Sequence, residues 1–279
     1  MSILTSIGYD VASLEEVRQH APAAFAEHKS PERSEKYSFV STADLLRVFE
    51  RLGWSPTYAR QNGSGPYARH VVRLNNPDLG FMDLKTDRVK PQFILDNSHD
   101  GSSPAQGHLG LFRLVCTNGL VVSMPGMYTS IKLRHIGIDV AELKNLMEAV
   151  AEQYTVLGKH IGDMQQHELD EPQREEFVVR AMAAREPWLF VRKEDGTVDT
   201  EKVVAMVKPS QILEPIRGED KKEDLWTLFN VVQERLVKGE FDRRMPSGRR
   251  SRPRTITNAT RGIDFNRRLW EIAESYMLN

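Results

Sequence analysis

The stretch FILDNSHDGSSPAQGHLGLFRLVCTNGLVVS, residues 93–123, contains two apolar runs of strand length separated by a polar loop. Within the second run, Thr117-Asn118-Gly119 interrupts the apolar residues, and Asn-Gly is the strongest short signal for a β-hairpin. We therefore predict strands over residues 92–95, 109–116 and 120–123, with the last two paired by that turn. Because a tight hairpin joins antiparallel strands, this stretch predicts an antiparallel central sheet.

Further elements extend outward from this stretch. Alternating polar and apolar residues predict two more strands, over 67–74 and 128–136. Upstream, ADLLRVFERLGW has apolar residues on one helical face and a glycine that ends the helix. Downstream, apolar residues that recur on one helical face predict helices over residues 139–161 and 225–237. Pro172, at a favoured first helical position, predicts another helix over 171–184. We also expect a final helix over 264–277 and a short helix within 196–209.

The order of these elements predicts the fold class. Strands that cluster in sequence and are followed by helices indicate an α+β fold. We expect a small antiparallel sheet with a central hairpin packed against several helices, and a mostly helical C-terminal half. The predicted domains are a loosely ordered segment over residues 1–35, an α+β core over 36–187, and a helical region over 188–279 with a basic loop at 243–261.

Composition limits the protein class. The chain has 279 residues, one cysteine and a formal net charge of −1. A single cysteine cannot form an internal disulfide and suits a reducing compartment. No apolar run approaches the roughly 20 residues of a membrane span, and the first residues lack the features of a signal peptide. We expect a cytoplasmic protein with no membrane partner.

Charge is distributed unevenly along the chain. Residues 139–186 contain eleven acidic and five basic residues, whereas residues 241–268 contain nine basic and two acidic residues. All nine bases in the second segment are arginines, which grip phosphate groups in a bidentate manner and stack on bases. The alternative is a solvated tether whose arginines pair with acidic helices of the same chain or of a neighbouring one.

The alternating strands add cations to this pattern. Arg69 and Arg73 would share one face of a strand, as would Ser130, Lys132 and Arg134 of another. Neighbouring strands of this kind could track a nucleic-acid backbone, although ordinary exposed strand residues would look the same. The predicted nucleic-acid-binding residues are Arg69, Arg73, Lys132, Arg134, Arg249, Arg250, Arg252 and Arg254.

The loop over residues 96–103 admits several interpretations. Asp96, His99, Asp100 and His108 could ligate a metal, but their spacing matches no strong metal motif. Serines beside His99 and Asp100 do not form a recognisable nucleophile motif. Gly101 and its neighbours could contact a phosphate backbone, or the loop could be a structural turn. We predict no catalytic residues and no cofactor or metal, and keep as a possible backbone-contact loop Ser98, His99, Asp100, Gly101, Ser102 and Ser103.

The string NSHDGSSPAQGHLGLFRLVCTNGLVVS resembles a family of phage- and plasmid-like proteins, the domain-of-unknown-function family 932. The resemblance includes the S-H-D-G-S-S motif, the F-R-L-V-C-x-N-G-L-V-V hairpin, the upstream helix ADLLRVFERLGW and the C-terminal helix NRRLWEIAESY, over roughly residues 36–275. It implies a mobile-element protein without catalytic residues that can be carried over. The element order is also similar to that of single-strand annealing proteins such as lambda Red beta, although those proteins place their basic residues more densely in the groove. This looser likeness implies a groove for single-stranded DNA.

Three functions follow as hypotheses. The first is a non-enzymatic phage or plasmid protein that binds single-stranded DNA as a homo-oligomer and promotes strand annealing in recombination. The alternative is a protein-interaction module that modulates host defence or restriction through the acidic residues 168–176. A minor third possibility is a metal-dependent nuclease that uses Asp96, His99, Asp100 and His108.

Overall fold

The computed structural model describes residues 11–84, 87–113, 119–121, 131–133, 140–195, 198–204 and 206–278. The chain divides into two compact units, Met1–Gly158 and Lys159–Asn279. In the first unit, the helices are α1 (Leu14–His20), α2 (Thr42–Arg51) and the start of α3 (Val140–Met164). Its strands are β1 (Ser55–Gln61), β2 (His70–Asn75), β3 (Met82–Leu84), β4 (Asp87–Asn97), β5 (Gln106–Arg113), β6 (Gly119–Val121) and β7 (Ile131–Lys132).

The strands of the first unit form one antiparallel sheet in the order β1-β2-β4-β5-β6, with β3 added to β4 and β7 added to β5. The predicted α+β class, with an antiparallel sheet, is therefore confirmed. The pairing of β5 with β6 matches the predicted hairpin, although residues 114–118, which include most of its turn, lie outside the described residues. Most of the strand predicted over 128–136 also lies outside them.

Helix α2 covers one face of the sheet through aromatic packing. Its N-cap Ser41 accepts a hydrogen bond from the Asp44 N–H, and its apolar stripe is buried. The Phe49 ring lies 5.3 Å from that of Phe93 on β4, and the Trp54 ring lies 6.1 Å from Phe93. Burial of such aromatic side chains stabilises a fold by about 2–3 kcal/mol each.

The N-terminal segment is more ordered than the sequence predicts. Residues 1–10 lie outside the described residues, but residues 11–35 contain α1, whose N-cap Ser13 accepts from the Glu16 N–H. Val17 is fully buried, and the Ser30 N–H donates to the His99 carbonyl at 2.8 Å. The prediction of a loosely ordered segment was wrong for these residues. A few apolar side chains are enough to order a segment when they pack into an existing core.

The second unit is mainly helical. Its helices are the end of α3, then α4 (Glu171–Arg185), α5 (Pro209–Leu213), α6 (Leu225–Lys238) and α7 (Ala259–Met277). Two small antiparallel pairs join them, β8 (Phe190–Arg192) with β9 (Val198–Val203) and β10 (Arg243–Arg244) with β11 (Arg250–Ser251). In the core, the Phe229 ring of α6 lies 6.0 Å from Trp226 and 5.4 Å from Trp270 of α7.

Two organisational predictions differ from the structure. The predicted boundary at residue 187 grouped α4 with the sheet, but α4 packs with α5, α6 and α7 in the second unit. The short helix predicted within 196–209 is instead strand β9, and a helix begins only at Pro209. β-Branched residues favour the extended conformation, and proline suits the first helical position. In the part of the chain that the structure describes, no helix is long and apolar enough to cross a bilayer.

Candidate nucleic-acid interface

The motif loop that follows β4 is directed inward. Ser98 and His99 are fully buried, and Ser103 is only 3% exposed. The Ser98 hydroxyl donates to the Ser103 carbonyl at 2.9 Å and accepts from the Ser103 N–H at 2.8 Å. These three side chains do not face solvent, so the predicted contact with a nucleic-acid backbone is restricted to the exposed tip of the loop.

The tip itself is a compact turn made by side chains that bond to their own backbone. The Asp100 carboxylate accepts from the Ser102 N–H at 2.9 Å, and the side-chain Oδ1 of Asn97 accepts from the Ser98 N–H at 2.8 Å. Gly101 has φ of +74°, a conformation that glycine adopts without steric cost. This is the geometry that the structural-turn interpretation of the motif predicts.

A series of hydrogen bonds connects the motif loop to α2. The Asn97 amide donates to the Thr42 hydroxyl at 2.9 Å, and Thr42 lies 2.8 Å from His70 Nε2. His70 Nδ1 lies 2.9 Å from the Ala68 carbonyl, which can only accept. His70 therefore carries a proton on Nδ1. Burial lowers the pKa of His70, which favours the neutral ring, in which Nε2 accepts from Thr42.

His99 completes this cluster as a neutral histidine. Its ring lies 5.0 Å from that of His70 and 4.8 Å from that of Phe39, and neither of its ring nitrogens has a hydrogen-bond partner among the described residues. Burial and then the neighbouring His70 lower the pKa of His99 to about 4. The His99 ring therefore packs as an apolar group that does not readily accept a proton.

Asp96 lies on the opposite face of β4 from Asn97 and has its own partners. It accepts from Arg69 at 2.8 and 2.5 Å and from Gln106 at 3.0 Å. Burial would raise the pKa of Asp96, but the nearby His108, whose Nε2 lies 3.8 Å away, and hydrogen bonds from Arg69 and Gln106 lower it to about 2. Of the residues considered as alternative metal ligands, Asp96 is thus paired with Arg69, and no group of three or more potential ligands is found among the described residues.

The two strand arginines share a face, as alternation predicts, but differ in accessibility. Arg69 is 19% exposed and its charge is matched by Asp96. Arg73 is half-buried, with its guanidinium 4.5 Å from the ring of Tyr58 on the neighbouring strand. Arg69 is thus part of the interior of the first unit. The side chain of Lys132 and the whole of Arg134 lie outside the described residues.

The arginine-rich segment of the second unit forms a small hairpin, which we call the arginine hairpin, residues 243–254. Strands β10 and β11 pair Arg244 with Arg250, and the turn between them is closed by hydrogen bonds from Gly248 N–H to Met245 O and from Met245 N–H to Arg249 O. Gly248 has φ of +80°, as expected for the left-handed residue after a type I turn. Thr255 and Ile256 bond to the end of α6 and fix the exit of the hairpin.

The cations of the arginine hairpin fall into two groups. Arg243 pairs with Glu186 at 2.5 Å, and Arg252 pairs with Asp242 at 2.7 Å. The remaining arginines are exposed, and none pairs with a carboxylate of the described residues. These unneutralised arginines are Arg244, Arg249, Arg250 and Arg254. The hairpin therefore presents four charged guanidinium groups to solvent within a few residues.

Sequence reasoning missed an aromatic residue beside the hairpin. Trp188 is 49% exposed, and the Arg243 guanidinium lies 5.1 Å from its ring. Trp188 follows the proline after α4 and is not part of any periodic pattern in the sequence. Only the structure shows that it lies beside Arg243. Exposed aromatic rings beside cations are the usual stacking surfaces for unpaired bases.

The acidic residues of the second unit are also exposed. Along the start of α4, every carboxylate side chain from Glu168 to Glu176 faces solvent. A cavity of about 660 Å³ adjoins them, and its charged lining is Asp170, Glu171, Arg174, Glu175, Glu214 and Glu223. This surface is separate in sequence from the arginine hairpin and has the opposite charge.

Comparison with known proteins identifies similar sequences. A family model described as Domain of unknown function (DUF932) matches residues 31–270. UPF0380 protein YafZ of Escherichia coli (strain K12) is 32% identical over 273 residues, covering 94% of this chain and 90% of that protein. UPF0380 protein YfjQ of the same organism is 32% identical over 277 residues, with the same coverage. No solved structure gives a significant match.

Proposed function

This chain belongs to the DUF932 family, and on that premise we propose that it is a single-stranded DNA-binding protein. The observation that carries the proposal is the exposed arginine hairpin, where four guanidinium groups have no carboxylate partner among the described residues. In a chain with a net charge of −1, this local excess of positive charge attracts a polyanion to one surface.

The chemistry of the hairpin suits the phosphate backbone. Each arginine can bind a phosphate through two parallel N–H donors, and binding releases counterions from the nucleic acid. Such contacts are independent of base sequence. Arg73, Lys132 and Arg134 remain proposed contacts of the same kind, while Arg69 is left out because Asp96 neutralises it.

The preference for a single strand is supported by Trp188. Its exposed ring lies beside Arg243, and stacking of a base on an aromatic ring contributes about 1–3 kcal/mol. In a duplex the bases are already stacked on each other, so this contribution is available mainly to unpaired strands. We further propose that this is a phage or plasmid protein that acts in the cytoplasm as a homo-oligomer. In this proposal it promotes annealing of complementary DNA strands during recombination.

Fluorescence anisotropy of a labelled single strand, titrated at several salt concentrations, tests the proposal. The variant R249Q/R250Q/R254Q removes three phosphate contacts, so the slope of log K against log salt should fall by about 2. The control K159Q/K221Q/K222Q removes the same charge from exposed lysines outside the hairpin and should leave the slope near the wild-type value. A hairpin variant with an unchanged slope contradicts the proposal.

A second candidate function is favoured by the acidic surface beside α4. Its carboxylates are exposed and line a cavity large enough to receive basic side chains of another protein. This arrangement supports a protein-interaction module that modulates host defence or restriction. Charge reversal of Glu171 and Glu175 to lysine would abolish capture of such a partner while leaving DNA binding intact, and loss of DNA binding instead would argue against this candidate.

A further inference from the structure

A cavity of about 580 Å³ lies where the C-terminal end of α4 meets the N-terminal end of α7. Its cationic lining is Arg185, Arg261 and Arg268, and its acidic lining is Asp264. The volume is within the range of small-ligand sites. None of these residues belongs to the arginine hairpin, so the cavity is a separate feature of the second unit.

Arg185 is built into the wall of this cavity. Its side chain is 2% exposed and pairs with Glu186, and Nη2 donates to the Arg254 carbonyl at 2.8 Å. The guanidinium also lies 5.4 Å from the Phe241 ring. A further donor, Nε, is buried and has no acceptor among the described residues. A buried donor without an acceptor is unfavourable, and an anion close enough to accept from it would remove that cost.

The other two arginines come from α7. Asn258 caps this helix by accepting from the Arg261 N–H at 2.9 Å, and the start of a helix carries partial positive charge. The Arg261 guanidinium donates to the Arg185 carbonyl at 3.4 Å, while Arg268 is exposed and has no carboxylate partner among the described residues.

Positive charge exceeds negative charge around Arg185. Glu186 is shared between Arg185 and Arg243, and Asp264 lies 4.0 Å from Arg267 on its own helix. Burial lowers the pKa of Arg185, Glu186 raises it, and the charges of Arg261 and Arg243 lower it again. An anion bound here would relieve the repulsion among these arginines.

We propose that this cavity is a binding site for a phosphoryl group, held by Arg185, Arg261, Arg268 and the start of α7. A tetrahedral anion can accept from several arginines at once, as phosphate sites at helix N-termini do. The phosphoryl group could belong to a nucleic-acid strand or to a free nucleotide. The proposal goes beyond DNA binding by the arginine hairpin and does not depend on it.

Calorimetric titration of the full chain with inorganic phosphate, at constant ionic strength, tests the site. The variant R261Q/R268Q changes two partly or fully exposed side chains and should weaken phosphate binding about tenfold or more, because two charge-assisted hydrogen bonds are lost. The control R180Q/K159Q removes the same charge without touching the cavity and should bind as the wild type does. Equal affinities for the cavity variant and the wild type, or no binding by the wild type, would overturn the proposal.

Competition identifies the source of the phosphoryl group. If a 5′-phosphorylated oligonucleotide displaces phosphate and adenosine monophosphate does not, the ligand is a strand, and the reverse result indicates a free nucleotide. Either result supports the site, whereas displacement by neither overturns it. The hairpin variant R249Q/R250Q/R254Q should retain phosphate binding. The experiments therefore distinguish failure of the phosphate-site proposal from failure of the proposal that the arginine hairpin binds DNA.

Discussion

Arg69 and Arg249 are the same amino acid in two electrostatic settings. The guanidinium of Arg69 makes two hydrogen bonds to the buried Asp96, whereas Arg249 is exposed at the turn of the hairpin. A paired guanidinium holds strands together, and an unpaired one at the surface attracts anions. The role of each arginine therefore depends on which carboxylate the fold brings within reach.

The tertiary structure also sets the behaviour of His99, here through burial. Burial of this histidine predicts that the fold loses stability in acid. The pKa of His99 is lowered to about 4 in the folded chain, against about 6.5 in an unfolded chain. As pH falls from 6.5 to 4, the unfolded state binds the proton first, so His99 alone should cost the fold about 3 kcal/mol over that range. His99→Phe removes this contribution, and urea unfolding at pH 6.5 and 4.5 would show a smaller loss for the variant.

A control for this prediction is His20→Phe, which changes an exposed histidine of α1. The free energy of unfolding of this control should depend on pH as that of the wild type does. If His99→Phe and the wild type lose equal stability on acidification, His99 is not the group responsible.

At the scale of elements, the arginine hairpin depends on how its strands are anchored. The segment Met245-Pro246-Ser247-Gly248 forms its turn, and the chain then passes over the end of α6. Gly239 ends that helix with φ of +74°, and a Cβ atom there would lie 2.3 Å from the Pro253 carbonyl oxygen. Only glycine allows this close approach, so the position of the hairpin depends on Gly239.

Two glycine substitutions separate backbone strain from steric conflict. Gly239→Ala should lower the free energy of unfolding by about 3 kcal/mol, because it combines an unfavourable φ with the contact to Pro253. Gly248→Ala meets nothing within 4 Å and should cost only about 1 kcal/mol, from φ alone. Urea denaturation measures both, and equal losses would show that the Pro253 contact adjusts without cost.

Elements with long-range periodicity were predictable, and short ones were not. The helices now seen as α3 and α6 follow apolar spacings that extend over several turns, whereas α4 was predicted from the proline at its first turn. Strand β1 was missed, because SPTYARQ combines a proline with polar residues and does not alternate cleanly. It is a strand because it pairs with β2, a non-local contact that overrides weak local preference.

At the scale of the whole molecule, charge is segregated within the second unit. The acidic surface along α4 and the arginine hairpin are both exposed there, although the chain as a whole carries a net charge of −1. The second unit therefore presents two exposed surfaces of opposite charge, one suited to a polyanion and one to a basic partner.

At the scale of the whole molecule, we predict that the protein promotes strand annealing. The wild-type protein should accelerate pairing of two complementary labelled strands, followed by energy transfer between their dyes, and high salt should suppress the effect. The hairpin variant R249Q/R250Q/R254Q should lose the acceleration, and K159Q/K221Q/K222Q should keep it. A protein that binds single strands without accelerating their pairing would be a binding protein only.

By itself the sequence determined the α+β class, the central antiparallel pairing, the main helices and the arginine-rich segment, because these follow from periodicity, turn residues and composition. Tertiary structure decided which polar residues are available for function. The sequence left the SHDGSS motif open as a backbone-contact loop or a structural turn, but the contacts of His99, Ser98 and Asn97 place it largely in the interior. Burial and pairing depend on residues distant in sequence, such as Thr42 beside His70 and Arg185 beside Arg261, and no local pattern encodes those distances.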